Sequence, residues 1–169
     1  LGSDLHRVVF DGTSTVSMAN PEIARFAKVA LVGQTELTLL SDLYVDSSFV
    51  KSTSPSSENV TLQSNQLITA APRRIIVGGG VSFPASTLTR TTLRNVALQL
   101  EGDANAGGGS VDLNDLTFQD MNPATTYLEV GLLNYAITAD GIEFATEATS
   151  GKYFDILNAT TTITFQNST

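Results

Sequence analysis

Apolar and polar residues alternate along most of this chain in short runs that are bounded by Gly, Pro, Asn, Asp or Ser. A period of two residues is typical of β-strands with one buried face. Turn residues between runs, at intervals of about ten residues, are typical of all-β domains. The pattern therefore predicts an all-β protein, and its longest alternating run covers residues 6–18.

The run at residues 6–18 divides into an apolar and a polar face. Its odd positions are polar except for Val9. Its even positions carry the other apolar residues of the run, interrupted by Gly12 and by the polar residues His6 and Ser14. A two-residue hairpin at Asp11 and Gly12 would mix apolar and polar side chains on both faces, so we favour one unbroken strand. The apolar face of that strand consists of Val8, Phe10, Gly12, Val16 and Met18.

Two all-β architectures fit the predicted strands. We favour an antiparallel β-sandwich, Ig-like or jelly-roll-like, over residues 21–169, with residues 1–20 as an N-terminal extension. Residues 135–146 favour it, because Asp140 and Gly141 join two alternating runs as a hairpin turn would. The alternative is a short parallel β-helix, whose candidate turns are unevenly spaced in this sequence.

Composition narrows the classes of partner. Asp and Glu number 17 against 9 Lys and Arg, a formal charge of −8, which argues against binding to nucleic acid or to an anionic membrane surface. The chain has no apolar run of the roughly 20 residues that a membrane-spanning helix needs. It begins with Leu1 rather than Met, so we expect that a signal peptide was removed and that the protein is extracellular.

The sequence offers little catalytic chemistry. It contains no Cys and a single His, His6, and we find no nucleophile motif. A general base near a free chain end is poorly placed, because catalysis requires positioning to a fraction of an ångström. We therefore predict that the protein is not an enzyme.

A glycine-rich acidic stretch is the candidate metal site. Carboxylate and amide oxygens are the ligands that calcium prefers. The alternative for this stretch is an acidic loop in contact with water. The candidate calcium ligands are Asp103, Asn105, Asp112 and Asp115.

Three Asn-x-Ser/Thr sequences are candidate N-glycosylation sites, at Asn59, Asn158 and Asn167. In a chain rich in Asn, Ser and Thr, about two such sequences arise by chance, so they do not decide the location of the protein.

The long amphipathic strand near the N-terminal end resembles the donor strand of pilin-like filament subunits. In that family, apolar residues at alternate positions fill pockets in the incomplete sandwich of the next subunit. The resemblance implies a non-enzymatic structural subunit of an extracellular filament or pilus-like fibre, with Val8, Phe10, Gly12, Val16 and Met18 as the assembly face and copies of itself as partners. The alternative for the strand itself is that it completes the sheet of its own domain. The alternatives for the function are a carbohydrate-binding or adhesin module, stabilised by calcium and with host or surface glycans as partners, and a virion surface protein.

Overall fold

The computed structural model describes residues 7–19, 26–51, 59–78, 86–101, 110–131, 136–157 and 162–169. No helix in these ranges is long and apolar enough to cross a membrane. The described residues form thirteen β-strands: β1 (Arg7–Val16), β2 (Phe26–Leu39), β3 (Leu43–Lys51), β4 (Val60–Ser64), β5 (Arg73–Val77), β6 (Ser86–Arg94), β7 (Val96–Leu100), β8 (Ser110–Gln119), β9 (Leu128–Val130), β10 (Ala136–Asp140), β11 (Glu143–Phe144), β12 (Phe154–Ile156) and β13 (Thr162–Gln166).

All pairings among these strands are parallel, and they join the strands into one sheet that winds as a parallel β-solenoid. The expected antiparallel sandwich is therefore wrong, and the alternative, a parallel β-helix, is the observed fold. The prediction failed because alternation with a period of two shows which face of a strand is buried, but not the direction of its neighbour.

Each turn of the solenoid passes through three walls. In the first wall, the first part of β6 pairs with the first part of β8. In the second wall, the second part of β6 pairs with β4 on one side and with the second part of β8 on the other. Strand β7 then pairs with β5 and β9, in the third wall. The next turns repeat this path: β8 and β9 form one turn, and β10, β11 and β12 form the following one.

The predicted hairpin at Asp140 and Gly141 is a corner between the first and second walls. Strands β10 and β11 do not pair with each other, and both pair with β8 in parallel. Gly141 has a φ of 70°, and the same left-handed backbone recurs at this corner in Arg90, Asp115 and Asn167, with φ of 50°, 51° and 47°. A turn-forming dipeptide thus bends the chain within one turn of the solenoid instead of reversing it.

The later turns have a nearly constant length. Ser86, Val111, Ile137 and Ile163 occupy equivalent positions in the first wall and lie 25 or 26 residues apart. The earlier turns vary more, since Leu62 lies 25 residues after its partner in β2 and 31 before its partner in β6. This variation conceals the repeat in the sequence.

The core fills the interior between the three walls. Equivalent inward positions of the second wall carry Leu37, Leu62, Leu93 and Phe118, each fully buried. Parallel strands place equivalent residues of successive turns about 4.8 Å apart, so these side chains stack along the solenoid axis.

Candidate functional site

The last turn of the solenoid exposes inward-facing positions that are buried one turn earlier. Leu128 is fully buried, whereas Phe154, its partner in the next turn, is 43% exposed. Ala139 is fully buried, whereas its partner Phe165 is 37% exposed. Positions that elsewhere form the core therefore form an apolar surface at this end of the described solenoid, which we call the C-terminal face.

The C-terminal face is continuous across the interior of the last turn. The rings of Phe154, in the third wall, and Phe165, in the first wall, have their centroids 5.1 Å apart. Ile156, whose partner Val130 is buried, extends the face along the third wall and is 39% exposed. Exposed apolar side chains grouped in this way mark interaction surfaces more often than isolated ones do.

A column of aromatic rings links the buried core to the C-terminal face. Phe118 stacks on Phe144 with centroids 5.4 Å apart, and the ring of Phe144 lies 4.9 Å from that of Tyr153, which is 37% exposed. Tyr127 packs against all three rings, and its hydroxyl has no hydrogen-bond partner in the described structure. Burial, and to a smaller extent Tyr153, raise the pKa of Tyr127 above its usual value.

Replacing Tyr127 with phenylalanine should raise the free energy of unfolding by about 1 kcal/mol at neutral pH, because it removes a buried polar group without a partner. The raised pKa of Tyr127 means that the unfolded chain releases this proton first, so the native protein should lose stability as pH rises above about 10. In Tyr127→Phe, the part of the stability loss at alkaline pH that comes from this hydroxyl should be absent. Urea unfolding at neutral and alkaline pH measures both effects. A variant that is less stable than the native chain at neutral pH would show that the hydroxyl is hydrogen-bonded.

Strand β1 forms the opposite end of the described solenoid. Its burial alternates along the strand, with even positions less exposed than odd ones, as the sequence predicts for one unbroken strand. It pairs along its length with β2 of the same chain, and the register shifts between Asp11 and Thr13, where Gly12 has a φ of 70°. No described strand pairs with the other edge of β1.

The predicted assembly residues thus face the interior of their own chain. Val8 and Phe10 pair with residues of β2 that are fully buried, and Phe10 packs against the core. Val16 and Met18 are each only 8% exposed. Val8 and Phe10 lie before the corner at Gly12, and Val16 and Met18 lie after it; all four are on the side of β1 and its continuation that is directed into the solenoid.

Two contacts fix β1 and the residues after it to the second turn. The hydroxyl of Thr35, at the register shift, lies 3.0 Å from the carbonyl oxygen of Phe10. The backbone N–H of Met18 donates to the hydroxyl of Ser41 at 2.8 Å. The Thr35 hydroxyl also donates to the carbonyl oxygen of Val32 at 2.5 Å, so it lies between β1 and β2, and the bond from Met18 holds the residues that follow β1.

The candidate calcium ligands are not assembled within the described residues. Asp103 and Asn105, and the side chain of Asp112, lie outside the described part of the chain. Asp115 stands at a corner, and its carboxylate lies 3.9 Å from the guanidinium of Arg90. No group of three or more His, Cys, Asp or Glu in the described ranges is placed to hold a metal ion.

Two of the three candidate glycosylation sites lie within the described residues. Asn59 is exposed immediately before β4. Asn167 is exposed at the last corner, where its side-chain amide donates to the carboxylate of Asp140 at 2.8 Å. Asn158 lies outside the described residues.

A cleft with a mixed polar and apolar lining, on the outer surface of the third wall, was not predicted from the sequence. Its volume is about 690 Å³. Segments before β3, between β4 and β5, and between β8 and β9 surround it. The lining residues are Asp42, Gln66, Ala70, Ala71, Pro72, Arg73, Arg74, Ala97, Thr125, Thr126 and Glu129.

Two asparagine side chains hold the sides of the cleft. Asn95 is only 5% exposed; its amide donates to the carbonyl oxygen of Leu67 at 3.1 Å, and its side-chain oxygen accepts from the N–H of Asn122 at 3.1 Å. Asn122 in turn donates to the carbonyl oxygen of Ala70 at 3.0 Å and accepts from the hydroxyl of Thr125 through its backbone oxygen at 2.8 Å. The network joins both sides of the cleft through a buried residue, so the cleft is preformed.

Comparison of the chain with protein-family models, curated proteins and solved structures found no match.

Proposed function

We propose that this chain is a non-enzymatic structural subunit of an extracellular filament, in which copies join head to tail by stacking their solenoid ends. The observation that carries the proposal is the C-terminal face, where inward positions of the last described turn are exposed. The occupant that fits this face is the β1 end of a second copy. Because the fold is a solenoid and not an incomplete sandwich, the proposed contact is stacking of solenoid ends and not insertion of a donor strand.

The two ends match in register. Ile163 and Phe165 occupy alternate inward positions of β13, and Val8 and Phe10 do the same in β1. When Phe165 is placed beside Phe10, the residues two positions later, Asn167 and Gly12, also lie beside each other. Both have a left-handed backbone conformation. Apolar side chains and the corner between the first two walls therefore coincide in one register.

The backbone of the two ends also supports the proposal. β13 pairs on one side with β10, and no described strand covers its other edge. An open sheet edge presents unpaired N–H and C=O groups, which a strand from another chain can satisfy. A joint in the proposed register continues the parallel ladder with the same direction. The two ends differ from each other, so the contact is heterologous, and because copies stack along the solenoid axis the proposed product is an open fibre.

Replacing Phe165 with glutamate tests the proposal. Placing a charge in a buried joint is unfavourable, so we expect the native chain to form fibres and Phe165→Glu to stay monomeric at the same concentration. Phe165 is already 37% exposed within one chain, so the variant should keep its fold. Light scattering and electron microscopy measure the polymer, and circular dichroism checks the fold.

Leu67→Glu is the matched control, because Leu67 is 77% exposed and lies between β4 and β5, away from both ends. This variant should polymerise like the native chain. A native chain that stays monomeric, or a Phe165→Glu variant that polymerises normally, would contradict the proposal.

A further inference from the structure

We propose that the cleft in the third wall binds a neutral oligosaccharide. This inference does not depend on polymerisation, because the cleft lies on the outer surface of the solenoid and not at either end. Its volume of about 690 Å³ is within the usual range of small-molecule sites. Its lining combines charged, amide and hydroxyl side chains with small apolar ones.

The charges of the cleft balance. Arg74 is engaged by Asp42, with its Nη2 3.0 Å from Oδ2, and donates through Nη1 to the side chain of Gln99 at 3.2 Å. Arg73 donates through Nε to the side chain of Asn65 at 3.1 Å. The carboxylate of Glu129 has no hydrogen-bond or ion-pair partner within the described ranges. One arginine and one carboxylate therefore remain to meet a ligand, which favours a ligand without net charge.

Sugar hydroxyl groups both donate and accept hydrogen bonds, and the cleft offers both roles. Arg73 and Gln66 supply donors and Glu129 supplies acceptors. The hydroxyl of Thr126 serves as either, whereas that of Thr125 already donates to Asn122 and is left as an acceptor. Such groups orient a ligand by hydrogen bonds. A ligand that lacks the matching hydroxyls leaves polar atoms of the cleft unpaired and therefore binds more weakly.

The floor of the cleft is made of small side chains. Ala97 stands in β7 beside Arg74 of β5, and Ala70 and Ala71 line the neighbouring segment. Small apolar residues give the C–H faces of a sugar ring a surface to contact. The cleft extends over successive turns, from β5 to β9, which suits an extended ligand better than a single compact one.

The side chains that recognise the ligand sit on a preformed frame. Asn95 and Asn122 hold the segments that carry Gln66 and Thr125, so those residues need little reordering when a ligand binds. A preformed site loses less conformational entropy on binding, which favours measurable affinity for a hydrated ligand.

Binding of soluble tetrasaccharides to the full chain tests this proposal. The neutral probes are maltotetraose, cellotetraose, mannotetraose and chitotetraose, and tetragalacturonate is the acidic comparison. We expect at least one neutral probe to bind by ligand-observed NMR and calorimetry. Arg73→Ala and Glu129→Gln should each weaken that binding by about tenfold or more, the effect of losing a charge-assisted hydrogen bond.

Arg94→Ala is the control, because Arg94 lies in the second wall beside Asp120, at 3.5 Å, and does not line the cleft. It should bind like the native chain. Absence of binding by all neutral probes, binding of tetragalacturonate alone, or binding that both cleft variants retain would each overturn the proposal. Light scattering on the same samples reports polymerisation separately, so failure of glycan binding and failure of filament assembly are distinguishable.

Discussion

Replacing Gly151 with alanine should lower the free energy of unfolding by about 3 kcal/mol or more. A Cβ atom at this position would lie 2.0 Å from the backbone oxygen and 2.5 Å from the backbone nitrogen of Thr125. Backbone atoms cannot rotate away as a flexible side chain can. The segment has little freedom to shift, because the N–H groups of Thr149 and Gly151 both donate to the carbonyl oxygen of Pro123, at 2.9 and 3.1 Å.

Gly131→Ala is the matched control for this prediction. Its nearest neighbour would be the carbonyl oxygen of Leu100 at 3.6 Å, an ordinary contact, and no positive φ opposes a side chain there. We expect this variant to be unchanged or slightly more stable, because alanine restricts the unfolded chain. Thermal and urea unfolding compare the two variants. Equal stability of both would show that the segments around Gly151 and Thr125 are not in contact.

Local structure was predictable from the sequence where one strand face is buried. The alternation in β1 identifies the inward face, including Val16 and Met18, because alternate side chains of a strand point to opposite sides. The same alternation predicts Gly12 within a continuous strand. It does not predict that β2 is the neighbour or that the pairing is parallel, because those depend on residues distant in the sequence.

The solenoid repeat could have been found only in part. From Ser86 onward, equivalent positions of the first wall recur every 25 or 26 residues. Residues that tolerate a left-handed backbone, such as Asp115 and Asn167, recur with the same spacing at the corners. The sequence predicts a hairpin at Gly141 because a corner and a chain reversal can both use a residue that tolerates a positive φ. Turn type alone therefore does not distinguish a solenoid from a sandwich.

Neither the C-terminal face nor the cleft follows from local pattern. Phe154 and Phe165 occupy core positions, and their exposure arises only because no described turn lies beyond them. The cleft joins Asp42, Arg73 and Glu129, which are separated along the chain and meet only when turns stack. Asn95 is buried and has a φ of 47°, and asparagine tolerates such a backbone at a corner. Its residue type therefore indicates a corner, but not the segments that its side chain joins.

Engineered cysteines allow a direct test of the proposed joint between copies. The register that places Phe165 beside Phe10 also places Thr164 beside Val9, and both of these point outward. Val9 is 50% exposed and Thr164 is exposed, so substitution leaves the core intact. Neighbouring strands lie about 4.8 Å apart, within the Cα separation that a disulfide spans. The native chain contains no Cys, so every disulfide would come from the engineered pair.

The measurement that tests head-to-tail stacking most directly is oxidation of Val9→Cys and Thr164→Cys chains, followed by non-reducing gel electrophoresis. The double variant should give a ladder of covalent oligomers. An equal mixture of the two single variants should give mainly a dimer that contains one chain of each, and either single variant alone should give little dimer. Efficient dimers of one single variant, or a double variant that remains monomeric after oxidation, would contradict stacking of the C-terminal face on β1.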